Sequence, residues 1–211
     1  MEPISKKNKY LINTKQAAEA LELLTNLESN NTDLVFCDPQ YEKVANVLHT
    51  KYPLYPQSDY QIMRILEQIE RILKPSSFGL SWINKGLLGN DRISAWMIKA
   101  PNLKIVDCLV WYKKILWDWE LDCVLIQNFV SCSKNILLRA RNLLTMLFGQ
   151  SGKKIVLPTS QRKHPHQKPK ELIRTLILAT TSEKDLIVDP CAGSFAVLEV
   201  CQELFRLWFN F

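Results

Sequence analysis

Leu34-Val35-Phe36-Cys37-Asp38-Pro39-Gln40-Tyr41 and, far downstream, Leu186-Ile187-Val188-Asp189-Pro190-Cys191-Ala192-Gly193-Ser194-Phe195 decide how this chain folds. Each is a short apolar run closed by Asp-Pro, which reads as a buried strand passing into a loop. Helical patterns lie around and between them. Gln16 to Leu27 carries Ala17, Ala20, Leu21, Leu24 and Leu27 at helical spacing, and Asp59 to Leu73 carries Ile62, Ile65, Leu66, Ile69 and Leu73. Pro75 stops the second helix, and Phe78 to Ile83 and Leu103 to Tyr112 follow as strands. Pro169 opens another helix through Thr180, with proline in the first turn, and the segment near Phe195 starts a last one. Strands alternating with helices predict an α/β fold of Rossmann type, a mostly parallel sheet with helices on both faces. No linker, repeat or low-complexity tract divides residues 1–211, so a single domain is expected.

Composition bounds the function. The chain has 211 residues, long enough to bury a core, and no apolar stretch approaches the length of a membrane span. Met1 to Tyr10 is polar and lysine-rich, with no apolar segment after it, so it does not read as a secretory signal. The net charge of +6 favours a polyanionic partner without naming one. None of the six cysteines forms a C-x-x-C pair, and several sit inside apolar runs, which fits a reducing cytoplasm and no structural zinc. His164 and His166 flank Pro165 with no third ligand nearby, so no metal site is expected there.

In a sheet of this type, ligands bind beyond the carboxyl ends of the strands, where both Asp-Pro loops fall. Ala192-Gly193-Ser194 lets the backbone approach a ligand before a helix begins, and amides at a helix start can face a carboxylate. Asp189 can hold that loop or bind an ammonium group. An ordinary strand-to-helix turn would look the same. The upstream loop suits a base amino group, whose lone pair is delocalised into the ring. If Asp38 accepts one N–H and the Pro39 carbonyl the other, the nitrogen can rehybridise and aim its lone pair at an electrophile. Proline restricts φ and so fixes the direction of that carbonyl. Tyr41 can stack on the base, a contact worth about 1–3 kcal/mol in single-strand binders. A plain Asp-Pro turn is the competing explanation.

At these residues the chain resembles the S-adenosylmethionine-dependent DNA amino-methyltransferases of the N6-adenine/N4-cytosine family, in the permuted order with the catalytic motif before the cofactor motif. Asp38-Pro39-Gln40-Tyr41 is similar to the family's D-P-P-Y signature, with Gln40 in place of the second proline. Arg71-Ile72-Leu73-Lys74-Pro75 followed by Phe78 to Trp82 resembles the next helix and strand, and Val110-Trp111-Tyr112-Lys113 the strand end after that. His164-Pro165-His166-Gln167-Lys168-Pro169 resembles the loop that helps enclose the cofactor, and Asp189, Pro190, Cys191, Ala192, Gly193, Ser194 and Phe195 the cofactor motif itself.

The resemblance implies S-adenosyl-L-methionine as cofactor and DNA as partner, in a restriction-modification setting. It also implies Asp38, Pro39 and Tyr41 as catalytic residues, and His164, Lys168, Pro169 and Asp189 to Phe195 as cofactor-binding ones. An aspartate-led motif implies adenine N6 rather than cytosine N4. A homodimer and a restriction endonuclease partner are left open. Residues 115–150, where target recognition is expected, match no family element, and Arg139, Arg141, Lys153, Lys154, Arg162 and Lys163 there and nearby read as solvated charge before phosphate contacts. The apolar end Leu207-Trp208-Phe209-Asn210-Phe211 lacks the acidic residue that normally closes the strand after the cofactor motif. Together these departures fit a truncated or frame-disrupted member whose sheet is incomplete at the C-terminus. Three readings follow: an active adenine-N6 enzyme (or its N4-cytosine counterpart), a non-catalytic remnant, and a methyltransferase of RNA or protein amides, against which the permuted order argues.

Overall fold

The computed structural model describes residues 12–15, 19–40, 56–84, 87, 91–107, 111–115, 118–128 and 167–210. Five α-helices are described: α1 (Ala20–Asn26), α2 (Asp59–Ile72), α3 (Arg92–Trp96), α4 (Lys170–Thr180) and α5 (Ala196–Glu203). The strands are β1 (Thr32–Cys37), β2 (Leu73–Asn84), β3 (Leu103–Asp107), β4 (Trp111–Ile115), β5 (Asp118–Asn128), β6 (Leu186–Asp189) and β7 (Leu207–Asn210). They build one seven-stranded sheet in the order β3-β5-β2-β1-β6-β7, with β4 pairing to β5. β2, β1, β6 and β7 run parallel, whereas β5 is antiparallel to β2, β3 and β4. This is the Rossmann-like α/β fold expected from the sequence, with helices on both faces of the sheet.

Alternation along the central strands divides the core in two. Val35, Cys37, Val188 and Phe209 face α1, α2 and α3. Leu34, Phe36, Ile187 and Trp208 face α4 and α5, together with Phe78, Leu80 and Trp82 of β2. Burial on both faces is why β1 and β6 read as continuous apolar runs. Ser58 caps α2: its hydroxyl accepts from the Gln61 amide at 3.3 Å, and Gln61 Oε1 accepts from the Ser58 amide at 2.8 Å. Exchanging these bonds satisfies two donors that a helix start would otherwise leave open. At the far end of α2, the Arg71 guanidinium donates to the carbonyls of Leu24 at 2.7 Å and Leu27 at 2.9 Å. Those groups belong to the last turn of α1, so Arg71 both caps it and clamps the two helices together.

Asp33 fastens the amino edge of the sheet. It accepts from Lys74 Nζ at 2.6 Å and from the Leu186 amide at 3.0 Å, joining β1, β2 and β6. With that edge held, the opposite, carboxyl ends of the same strands carry the loops that matter for function.

Several sequence expectations are refined. α1 begins at Ala20, and residues 16–18 of the expected helix lie outside the described residues. β2 starts directly after α2 at Leu73, not at Phe78, because Pro75 is taken up at an irregularity where Leu73 pairs with Thr32 and Phe78 with Leu34. Ser76, at φ 67°, makes the required excursion. Of the strand expected over Leu103 to Tyr112, Leu103–Asp107 forms β3 and Trp111 and Tyr112 lie in β4, both pairing with β5, and residues 108–110 lie outside the described residues. Within the unmatched 115–150 segment, Asp118–Asn128 is an 11-residue strand inserted between β2 and β3. The apolar end is also a strand: β7 pairs with β6 in register, Asp189 beside Asn210.

Candidate functional site

β1 and β6 are neighbours, and Val35 pairs with Val188. Asp38 and Asp189 therefore come to one edge of the sheet, at the carboxyl ends of adjacent parallel strands. Their proximity is felt electrostatically, since the charge of Asp38 helps raise the Asp189 carboxyl.

Asp189 is buried, and burial is the main reason that its carboxyl is pushed up to about 7. The Cys191 amide donates to Asp189 Oδ1 at 3.2 Å and, with the charge of Lys168, acts in the opposite direction. The loop then turns through Gly193, which is exposed at φ 49°, and Phe195, at φ 57°, where α5 begins. Among the described residues, a Cβ at Gly193 would meet nothing nearer than the Cys191 carbonyl oxygen at 3.9 Å, so none of them crowds this turn. A buried carboxyl with one backbone donor, beside an unobstructed turn and a helix start, fits a ligand that brings an ammonium group to Asp189.

Asp38 differs in character. Its side chain is 37% exposed, and Oδ2 accepts from Lys168 Nζ at 2.6 Å. Lys168 is only 11% exposed, and its ammonium also lies 5.2 Å from the centre of the Trp82 ring. The loop after Asp38 is anchored to the approach to α2. The Gln57 amide donates to the Gln40 carbonyl at 2.7 Å, and the Gln40 amide donates to Gln57 Oε1 at 3.2 Å. Gln40 thus serves through its backbone, while Pro39 beside it is buried.

Of the residues singled out from sequence, Asp38, Pro39, Lys168, Pro169 and Asp189 to Phe195 are described, and the ends of β1 and β6 bring the two loops together. Tyr41 and His164 lie outside the described residues. Lys168, read by resemblance as a cofactor contact, has its ammonium on Asp38. Two participants were not singled out from sequence. Trp82, at the end of the β2 run, supports Lys168, and Lys15 places its ammonium 4.8 Å from the centre of the Phe195 ring. The position of Trp82 at a strand's carboxyl end could have marked it; nothing local marks Lys15.

The neighbouring thiols are poor nucleophiles. Cys37 is held by Cys191 and buried, which pushes its thiol well above the usual range, and burial pushes Cys201 up to about 12. Among the described residues, no group of acidic, histidine and cysteine side chains could hold a metal ion.

Comparison with known proteins gives a consistent result. Residues 148–209 match the model of a DNA methylase family. Along 92% of its length the chain is 26% identical to the type II methyltransferase M.HhaII of Haemophilus parahaemolyticus, covering 88% of that protein. It is 25% identical to M2.MboI of Moraxella bovis, over 82% of this chain and 73% of that one. Among solved structures, the complex of M1.HpyAVI with SAM superposes with a TM-score of 0.60 at 15% identity, covering 92% of this chain and 90% of that one. The cytosine-N4-specific PvuII DNA methyltransferase gives 0.59 at 16% identity, with 92% and 79% covered. The fold is theirs, and the resemblance to DNA amino-methyltransferases extends well beyond the short motifs.

Proposed function

We propose that this chain, a relative of the N6-adenine/N4-cytosine DNA amino-methyltransferases, transfers a methyl group from S-adenosyl-L-methionine to the N6 amino group of adenine in DNA. The observation that carries the reading is the adjacency of β1 and β6, with Asp38 and the Asp189–Phe195 loop at one sheet edge. When bound, the cofactor supplies an electrophilic methyl group on a sulfonium centre. Asp189 and the turn at Gly193 would hold it, the carboxyl being available to its ammonium group. Pro190, Cys191, Ala192, Ser194 and Phe195 shape that turn, and His164 and Pro169 are the further cofactor-binding residues that the family resemblance implies.

The target adenine leaves the duplex stack, because its amino group cannot align for transfer while paired. Asp38 accepts one amino N–H and the Pro39 carbonyl the other, so the nitrogen lone pair turns out of the ring plane. Tyr41 stacks on the base. As the nitrogen–methyl bond forms, the methyl–sulfur bond of the donor breaks with its electron pair returning to sulfur, which departs as a neutral thioether. Asp38 stabilises the positive charge developing on nitrogen, and the surplus proton leaves through it to solvent. Adenine is favoured over cytosine by the aspartate that leads the loop. The setting is a restriction-modification system, with DNA as the macromolecular partner and the cytoplasm as location.

Incubation with unmethylated DNA and labelled cofactor, followed by nucleoside analysis, tests this. Label in N6-methyladenine is expected. Label in N4-methylcytosine would overturn the base assignment, and no transfer to DNA would overturn the function.

A further inference from the structure

We infer that Lys168 is the positioning residue for Asp38, fixing the carboxylate that receives the target amino group. It is not primarily a contact to the methyl donor. This inference rests on the function proposed above and deepens it.

Three observations carry it. First, Lys168 Nζ lies 2.6 Å from Asp38 Oδ2, a charge-assisted bond linking residues 130 apart in sequence. Second, the partners are unequal in exposure: the lysine side chain is 11% exposed and the aspartate 37%. The ammonium is thus held inside while the carboxylate faces outward. An exposed pair of long side chains contributes little and has no fixed geometry, whereas here burial and the Trp82 ring confine the cation. Third, Lys168 stands just before α4, where Pro169 serves as N-cap and the Ile173 amide donates to the Pro169 carbonyl at 3.2 Å. The anchor therefore stands at the entry to the helix that packs beneath β1 and β2.

The chemical consequence follows from counting acceptors. An ionised carboxylate offers two oxygens with about four lone-pair sites, and the lysine occupies one of those on Oδ2, which leaves Oδ1 the less engaged oxygen for the substrate N–H. Holding Oδ2 also restrains rotation of the carboxylate, and misplacement of a reacting group by about 1 Å can cost roughly a hundredfold in rate. The same cation lowers the Asp189 carboxyl that burial raises. It accordingly belongs to the acceptor side of the crevice and serves the cofactor side only through its field.

Turnover at saturating DNA and cofactor, measured beside cofactor affinity by calorimetry, separates the two roles. Lys168→Met is expected to lower kcat by about tenfold or more while changing the cofactor Kd by less than about threefold. Lys168→Arg, which restores the cation, is expected to recover much of the loss. Lys170→Met, removing the neighbouring cation that pairs with Glu199 at 2.6 Å, is expected to leave kcat unchanged. Should Lys168→Met fail to fold, Lys168→Gln, of similar reach but uncharged, carries the same comparison. Near-normal kcat with a cofactor Kd weakened about tenfold would make Lys168 a cofactor contact and overturn the inference. Wild-type protein that transfers no methyl to DNA would instead overturn the proposed function, and this inference with it.

Discussion

Val35 lies beside Val188 across two parallel strands, and this single register brings the carboxylates of Asp38 and Asp189 to the same edge of the sheet. They are placed to do different work. Asp38 is partly exposed and paired with a cation, whereas Asp189 is buried, which raises its carboxyl. Two like groups given opposite environments are a common way for one crevice to serve two functions.

Asp189 makes stability depend on pH. Its carboxyl is raised from 3.8 to about 7, so between those values the folded chain holds a proton that the unfolded chain has released. Stability from this group is complete at low pH and is lost as pH rises to about 7, with a slope of at most about 1.4 kcal/mol per pH unit. Asp189→Asn removes the dependence. Urea denaturation should show the variant gaining on wild type between pH 5 and pH 8, and a pH-independent difference would contradict the burial argument.

Gly193 is at φ 49°, and among the described residues nothing crowds its α-carbon. Gly193→Ala should therefore destabilise through the backbone alone, by about 1–2 kcal/mol. Gly193→Asn should cost less, because asparagine tolerates the left-handed region. Equilibrium unfolding of the two variants checks this; asparagine costing more than alanine would mean that crowding, not φ, governs the turn.

Trp208 tests whether the last strand belongs to the core. It is 4% exposed, packs on the α4 and α5 side, and its amide donates to Asn13 Oδ1 at 3.0 Å. Trp208→Ala should destabilise the fold by about 3–5 kcal/mol. A loss below about 1 kcal/mol would show that β7 contributes little to folding.

Much of this architecture was legible in the sequence, for identifiable reasons. Ile62, Ile65, Leu66 and Ile69 share one helix face, and Leu34 to Cys37 is buried on both sides, so α2 and β1 announce themselves locally. β5 does not. Its first half, Asp118-Trp119-Glu120-Leu121-Asp122, is largely polar and pairs with β4, and its second half pairs with β2, a distant segment that no local pattern reveals. β7 is four residues long, and its apolar run reflects insertion beside β6. At the site, both loops were readable because Asp-Pro ends each run. The bond between Lys168 and Asp38 was not, since it joins segments that only the fold brings together.

The most direct test of the account is Asp38→Ala, assayed for labelled-methyl transfer to unmethylated DNA alongside calorimetric titration with S-adenosylmethionine. The predicted result is no detectable methyl transfer with cofactor affinity within about threefold of wild type. Near-normal turnover by this variant would contradict the account, because the amino group would then need no carboxylate at the end of β1.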